Sequence, residues 1–409
     1  MKILTNEYSC NTPNFQEPAK GGPANFARLF FNFLSKKNKK INWYGLIVRI
    51  SDKASGSLSS KMIKDDRKNR FIYDLSLPAS LSQKILRARK VSDPKIILKD
   101  PIKKLSSIIK KISPDIVFLN GFSLTNWLLL VAAKENNIKV VIQHAGIWTK
   151  EIEIYQDLFS ASGAKIMKQM ERDSSVLSDK EIFLNTFSQK IFNQKVLQGK
   201  RSSNNESVII PLPVDFSFFN KQKKSKKEFN FDKTRFNIGV VARWDRIKNL
   251  EAVVKISKVI KDKKLPWNIN SVTNIPLSSK NISLKTAYRK NINVISFLNK
   301  EEIRDFCLQN DLIIIPSHFD VSPTILLEAV ACKTPVAISA SVGFVDDYLK
   351  YGASDWVIDF NKPQIAIAQL EKIKHKKLPV KVTKTLINKH DLLKVFEKYF
   401  VLLNNLRKI

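Results

Sequence analysis

The stretch Asp311–Ala331, DLIIIPSHFDVSPTILLEAVA, leaves little freedom in how it can fold. Leu312–Ile315 is a short, mostly β-branched block without polar alternation. Such a block suits a strand covered on both faces, which means a parallel sheet with helices on either side. Pro316 cannot donate to a ladder and ends the strand. Pro323 fixes φ where a new helix can begin, with Ser322 ahead of it as the candidate N-cap. Strand, loop and helix in that order put the loop at the carboxyl edge of the sheet, where open α/β sheets bind ligands. Asp320 and Glu328 frame that edge. Just over two helical turns separate them if the helix ran through, so both can face one crevice. The same spacing also fits a buried strand, a Pro-terminated loop and a helix with one solvated Glu.

The rest of the chain repeats this alternation. The reading predicts a first strand in MKILTNEYS and a helix marked by Phe26, Leu29, Phe30, Phe33 and Leu34 at three- and four-residue spacing. It predicts a strand over Trp43–Val48, then a polar, basic loop or short hairpin over 51–70. Leu81–Arg89 and Ile102–Ile112 read as basic amphipathic helices, either packing an apolar stripe inward or laying a cationic face on anionic lipid. Strand Ile116–Leu119, helix Leu124–Lys134 and strand Lys139–Gln143 form a further βαβ unit. Mostly helical sequence follows over 152–190, with a strand over Ile182–Thr186. After SVIIPLPVD (207–215) the alternation restarts: strand Phe236–Val241, helix Leu250–Ile260, strands Trp267–Thr273 and Asn291–Phe297, and helix Lys300–Gln309. Strands Pro335–Ile338 and Trp356–Ile358 and a terminal helix Asp391–Leu406 complete the chain.

Several polar residues fall at predicted strand ends. Gly21-Gly22 sits at a strand-to-helix turn, where glycine lets a backbone approach a ligand and helix N–H groups can hold an anion; alone, it reads as a plain turn. His144 follows a strand in QHAGIW, beside Gly146; a lone histidine there is ordinarily a structural hydrogen-bonder. Arg243 and Lys248 straddle the turn after Val241 and can converge on one anion, a planar fork beside a compact point charge, which suits a diphosphate.

The string PSHFDVSPTILLEA resembles the acid-x7-acid motif of the retaining glycosyltransferases of family 4, in the glycosyl transferases group 1 with the GT-B fold. Pro316, Ser317, Asp320, Glu328 and Ala329 fall on the motif, with Asp320 where the family usually has Glu and Val321-Ser322-Pro323 in place of a Gly-aromatic-Gly. Arg243 and Lys248 match the family's Arg-x4-Lys pair, and Pro213-Val214-Asp215 resembles its interdomain turn. The resemblance implies an α/β protein of two facing Rossmann-like, doubly wound domains with the active site in the interdomain cleft. It divides the chain into 1–212 on the acceptor side, 213–385 binding a nucleotide sugar, and 386–409 as a helix crossing back.

The implied activity is metal-independent transfer of a hexose, with retention, from a UDP- or GDP-sugar to a glycan or lipid-linked acceptor, in bacterial surface polysaccharide or lipopolysaccharide assembly. The implied catalytic residues are His144, Arg243, Lys248, Asp320 and Glu328. Arg243 and Lys248 would hold the diphosphate, Glu328 the ribose hydroxyls and Asp320 the sugar hydroxyls, with His144 contacting the sugar. Gly21, Gly22, Phe297, Ser322, Pro323 and Thr324 would line the donor. No cofactor and no metal are implied. A non-catalytic GT-B scaffold, and an epimerase or phosphorylase on the same fold, remain as rivals.

Composition narrows the classes. The 409 residues, 44% hydrophobic, suffice for two α/β domains with full cores. Three well-separated cysteines, Cys10, Cys307 and Cys332, make no disulfide framework and read as thiols of a reducing cytosol. Four histidines without paired His/Cys spacing argue against structural zinc. The N-terminus lacks the long apolar core of a signal peptide, and the longest apolar run, Trp127–Ala133, is too short to span a bilayer. The expected location is the cytoplasm, with peripheral contact at the inner face of the plasma membrane as a further expectation. The net charge of +33 has three readings: the lysine bias of an AT-rich genome, attraction to anionic lipid, and nucleic-acid binding. The last is the least supported, because helix-turn-helix, zinc-finger and aromatic-basic signatures are missing; no nucleic-acid partner is expected.

Overall fold

The structure, a computed structural model, describes residues 1–7, 22–37, 40–51, 60–65, 70–199, 206–220, 227–275 and 282–408. It divides into two compact units: Met1–Pro211 with Val395–Ile409, and Leu212–Lys394.

The first unit is built on a sheet of eight strands. These are β1 (Lys2–Asn6), β2 (Asn42–Ser51), β3 (Ser60–Asp65), β4 (Arg70–Pro78), β5 (Ile116–Asn120), β6 (Lys139–His144), β7 (Lys180–Phe183) and β8 (Ser207–Ile209), in spatial order β3-β4-β2-β1-β5-β6-β7-β8. All neighbours pair in parallel except β3, which lies antiparallel on β4 as a hairpin edge. The polar 51–70 stretch therefore carries a strand. The buried pattern of β5, all five residues inside, is that of a strand covered on both faces. Helix Lys99–Ile112 turns Ile102, Leu105, Ile108, Ile109 and Ile112 into the core, with its lysines outside. The terminal helix Leu392–Lys408 closes this unit by packing Phe396 and Tyr399 onto Phe26 and Phe30 of helix Gly22–Lys37.

The second unit carries five strands, β9 (Phe236–Val241), β10 (Trp267–Val272), β11 (Asn293–Ile295), β12 (Leu312–Ile315) and β13 (Val336–Ile338), all parallel in the order β11-β10-β9-β12-β13. Strand β12 begins and ends where the unalternating apolar block does, and all four residues are buried.

Four local expectations need correction. The strand expected over Trp356–Ile358 is one bridge, Ile338 to Val357, after a 3₁₀ turn at Ser354–Trp356. The strand expected over Asn291–Phe297 is only Asn293–Ile295, because helix Ile282–Asn291 continues to its edge. The strand expected over Ile182–Thr186 lies earlier, because Asn185 caps a helix starting at Thr186 by accepting from the Ser188 N–H. Helix Thr324–Ala331 has Pro323, not Ser322, in its N-cap and no side-chain cap.

Candidate active site

In a doubly wound sheet the strand order reverses at one point, and the loops leaving the two strands there part to open a crevice at their carboxyl ends. In the second unit that point lies between β9 and β12. The turn after β9 is fixed by its own polar residues. Asp245 caps a 3₁₀ turn, Arg246–Lys248, by accepting from the Ile247 N–H at 3.2 Å. Asn249 then takes the left-handed conformation (φ 53°), which asparagine tolerates better than most residues. Its buried amide donates to the Pro316 carbonyl at 3.0 Å and to Asn361 Oδ1 at 3.2 Å. The His318 N–H donates to the Ile247 carbonyl at 2.9 Å, so the loops after β9 and β12 are stapled together.

That staple brings two of the sequence-selected residues into contact. Lys248 Nζ lies 2.5 Å from Asp320 Oδ2, both side chains largely buried. Asp320 is also held through its backbone, its N–H donating to Ser341 O at 3.1 Å and its carbonyl accepting from Gly343 N–H at 2.9 Å. The shorter acid thus reaches its partner because the loop after β13 holds it in place. Arg243 leaves the same turn with its side chain 74% exposed, 3.7 Å from Asp245, and is free to swing onto an anion.

Glu328 sits half-buried on helix Thr324–Ala331. Burial pushes its pKa up to about 7, and the positive charge of Lys300 opposes that rise. Lys300, which sequence reasoning did not select, lies 3.7 Å from Asp215 Oδ2 and 3.9 Å from the centre of the Phe218 ring. The Ser322 hydroxyl is buried without a hydrogen-bond partner among the described residues. Pro323 is buried, Thr324 partly so, and Phe297 is 51% exposed beyond the carboxyl end of β11. Among the described residues, no three His, Cys, Asp or Glu side chains come together as a metal site would require.

Residues 221–389 match the family model of glycosyl transferases group 1. The match contains Arg243, Lys248, Asp320 and Glu328 and covers less than half of the chain. No curated protein sequence matches the chain. Solved structures show the fold along its whole length. A sucrose-phosphate synthase from Thermosynechococcus elongatus superposes with a TM-score of 0.73 at 11% identity, covering 99% of this chain and 98% of that one. An α,α-trehalose 6-phosphate synthase from Burkholderia multivorans gives 0.69 at 11% identity, covering 100% and 98%. A glycosyltransferase from Rickettsia africae gives 0.65 at 15% identity, covering 99% and 98%. The fold is that of the GT-B glycosyltransferases, and the likeness does not single out family 4.

The first unit has its own reversal, between β1 and β5. A cavity of about 430 Å³ opens there, lined by Asn6, Glu7, Asn120, Gly121, Trp148 and Glu151 among others. Glu7 is buried and ion-paired to Arg70 at 2.8 Å, with the Trp43 indole N–H donating to it at 3.2 Å. A Cβ on Gly45 would stand 2.9 Å from the Glu7 side chain, so glycine makes room for the pair. A Cβ on Gly146 would meet Glu151 Oε1 at 2.7 Å, so a carboxylate of this chain fills the space beside it. Asn120 donates from its amide to the Pro23 carbonyl at 2.8 Å and accepts from Gln143 Nε2 at 3.0 Å.

His144 lies in the interior. It closes β6 with no exposed surface, Nε2 2.9 Å from Glu181 Oε1, between the rings of Phe183 and Phe192. Its Nδ1 is buried without a hydrogen-bond partner among the described residues. Gly21 lies outside the described residues, and Gly22 is the first residue of its helix. Glu7, Glu151 and Asn120 were missed: Glu7 meets Arg70 only through the sheet, and the one local signal was Asn120-Gly121 at a strand end.

Proposed function

We propose that the protein is a retaining glycosyltransferase that takes a sugar from a UDP- or GDP-sugar and passes it to a hydroxyl of a glycan or lipid-linked acceptor, without metal, as a hexosyltransferase of the family 4 kind. The observation that carries this reading is the contact of Lys248 with Asp320 between the loops after β9 and β12, with Arg243 exposed on the same turn and Glu328 on the helix that follows β12. Two cations at one carboxyl edge supply what a diphosphate leaving group needs, preorganised charge opposite developing charge. The donor's phosphate would compete with Asp320 for Lys248 and release the Asp320 carboxylate toward the sugar's hydroxyls. Ribose hydroxyls would donate to Glu328, favour its charged form and draw its pKa below 7. The Ser322 hydroxyl is placed to gain the partner it lacks.

In the transfer, the C1–O bond to the diphosphate breaks with its electron pair going to the phosphate. The acceptor oxygen bonds C1 on the same face, and its proton passes to the departing phosphate oxygen. No protein nucleophile is required. The first unit's cavity, with carboxylates and amides and no cation among the described residues that line it, suits a neutral, hydroxyl-rich acceptor. Surface polysaccharide or lipopolysaccharide assembly is the setting we propose.

The test is release of nucleoside diphosphate from a panel of UDP- and GDP-sugars offered with glycan and lipid-linked acceptors, with and without EDTA, by wild type and Glu328→Ala. Turnover of one donor, retained in EDTA and lost in the variant, supports the reading. Folded wild-type protein that turns over none of the panel and binds none of it overturns it.

A further inference from the structure

The second unit also opens a cavity at the opposite, amino edge of its sheet, where open α/β sheets do not ordinarily take ligands. Its volume is about 410 Å³, and Asn230, Phe231, Asp232, Asn268, Lys290 and Asn293 are among its lining. A row of asparagines leads into it. Asn237 in β9, Asn270 in β10 and Asn310 just before β12 are buried, and Asn293 begins β11 at the surface. Buried amides must find partners inside the protein, because an unmet one carries its full desolvation cost.

The partners fix which way each amide points. Asn237 Nδ2 donates to the carbonyls of Asp232 and Arg235, both at 2.9 Å, and Asn310 Nδ2 donates to the Phe306 carbonyl at 2.8 Å. A carbonyl only accepts, so the Oδ1 atoms of Asn237 and Asn310 are the ones left for Asn270. Asn270 Nδ2 donates to both, at 3.2 and 2.9 Å, and Asn270 Oδ1 accepts from Asn293 Nδ2 at 3.2 Å. The row is polarised from end to end, and its open end is an acceptor, Oδ1 of the exposed Asn293. The groups beside it agree. Asp232 Oδ1 accepts from the Thr234 N–H at 2.9 Å and from Thr234 Oγ1 at 2.6 Å, which leaves Oδ2 unpartnered among the described residues. The half-buried Asn268 has no side-chain hydrogen bond among them either. Phe231 supplies an apolar wall, stacked on Phe229 at 5.2 Å between ring centres.

We propose that this cavity binds a neutral saccharide, a segment of glycan held at the edge of the sheet away from the β9–β12 crevice. Sugar hydroxyls would donate to Asn293 Oδ1 and Asp232 Oδ2 and exchange hydrogen bonds with the Asn268 amide, which both donates and accepts. The C–H face of a sugar ring would lie on Phe231. A hydroxyl that donates to Asn293 continues the polarised row and is strengthened by it. An anion fits poorly, because phosphate and carboxylate oxygens only accept and would meet acceptors at Asn293 and Asp232. Asp232 and Lys290 are the charged groups among the described residues that line the cavity, and they balance. The volume falls within the range of small-ligand sites, about 300–1,000 Å³.

The proposal stands apart from the transferase reading and is tested without nucleotide. The full chain is titrated by calorimetry with neutral tetrasaccharides of glucose, galactose, mannose and N-acetylglucosamine, and with tetragalacturonate as the anionic counterpart. Wild type is compared with N268A/N293A, with F231A, and with R243A/K248A at the crevice. Asn268 has no side-chain hydrogen bond to lose and Asn293 is exposed, so the double variant should melt near wild type; N268A alone is read in the same way if the double does not fold. The expected result is saturable binding of at least one neutral tetrasaccharide, weakened about tenfold or more by N268A/N293A and by F231A, and unchanged within about twofold in R243A/K248A. Absence of binding across the neutral panel would overturn it, as would equal binding by wild type and the folded N268A/N293A. Tighter binding of tetragalacturonate than of every neutral chain would overturn the chemistry assigned to the cavity. Loss in R243A/K248A with retention in N268A/N293A would move the saccharide to the crevice and overturn it as well.

Discussion

The two units put different chemistry at the same place in the same kind of sheet. Between β9 and β12, cations stand beside acids, with Arg243 exposed and Lys248 held by a carboxylate. Between β1 and β5, the charged pair is Glu7 with Arg70, locked in the interior, and the lining is amides and carboxylates. A mobile or competable cation can receive a phosphate. A buried pair is already matched and serves to shape a wall. The reversal point supplies a crevice in both units, and the state of the charges decides what each can bind.

Breaking the wall should have the largest effect. Glu7→Ala leaves the Arg70 guanidinium buried without its counter-ion, which costs about 3–5 kcal/mol of stability. Denaturant unfolding should show this loss, and nucleotide-sugar affinity of the remaining folded protein should stay at the wild-type value. Removing the competable cation should do the reverse. Lys248→Ala is expected to weaken nucleotide-sugar binding by about 10- to 150-fold, the range of a lost charge-assisted hydrogen bond of about 1.5–3 kcal/mol, when titrated by calorimetry. Its stability should change far less than that of Glu7→Ala, because the Asp320 side chain keeps some access to water.

A smaller effect comes from pH. With a pKa of about 7, Glu328 is mostly neutral at pH 6 and mostly charged at pH 8. A donor whose ribose hydroxyls need the carboxylate should therefore bind about tenfold tighter at pH 8, while its own diphosphate stays ionised throughout. Glu328→Gln should flatten that slope. The sign for folding is opposite: an acid whose pKa is raised on folding destabilises the native state as pH rises from about 4.5 through 7, and the glutamine variant loses that dependence too. The smallest expected effect is at Ser322. Ser322→Ala removes a buried hydroxyl without a partner, so melting should hold or rise slightly, while donor affinity falls by a few fold.

How far the sequence was legible follows the same division. Strand β12 and helix Lys300–Gln309 could be read because each is encoded locally, by an apolar block with a proline stop and by an Asn299–Glu302 capping box. Lys248 and Asp320 lie far apart in sequence, but each occupies a loop whose position in a parallel sheet is fixed. The first unit's cavity resisted reading because its parts meet only through the sheet: Glu7 and Arg70 face each other across β2, with Gly45 between them as the space-maker. The burial of His144 was hidden for a related reason. A strand end looks the same in sequence whether its last side chain faces a ligand or, as here, Phe183, Phe192 and a buried glutamate. Lys300 escaped notice because one lysine among many carries no local signal of its approach to Glu328.

The most direct measurement is calorimetric titration of UDP-glucose and GDP-mannose, at pH 8 in EDTA, into wild type, an Arg243→Ala/Lys248→Ala double variant and Glu7→Gln. Saturable binding of one donor to wild type and Glu7→Gln, abolished in the folded double variant, is the expected result. Equal binding by wild type and the double variant would contradict the assignment of the diphosphate to the β9–β12 crevice.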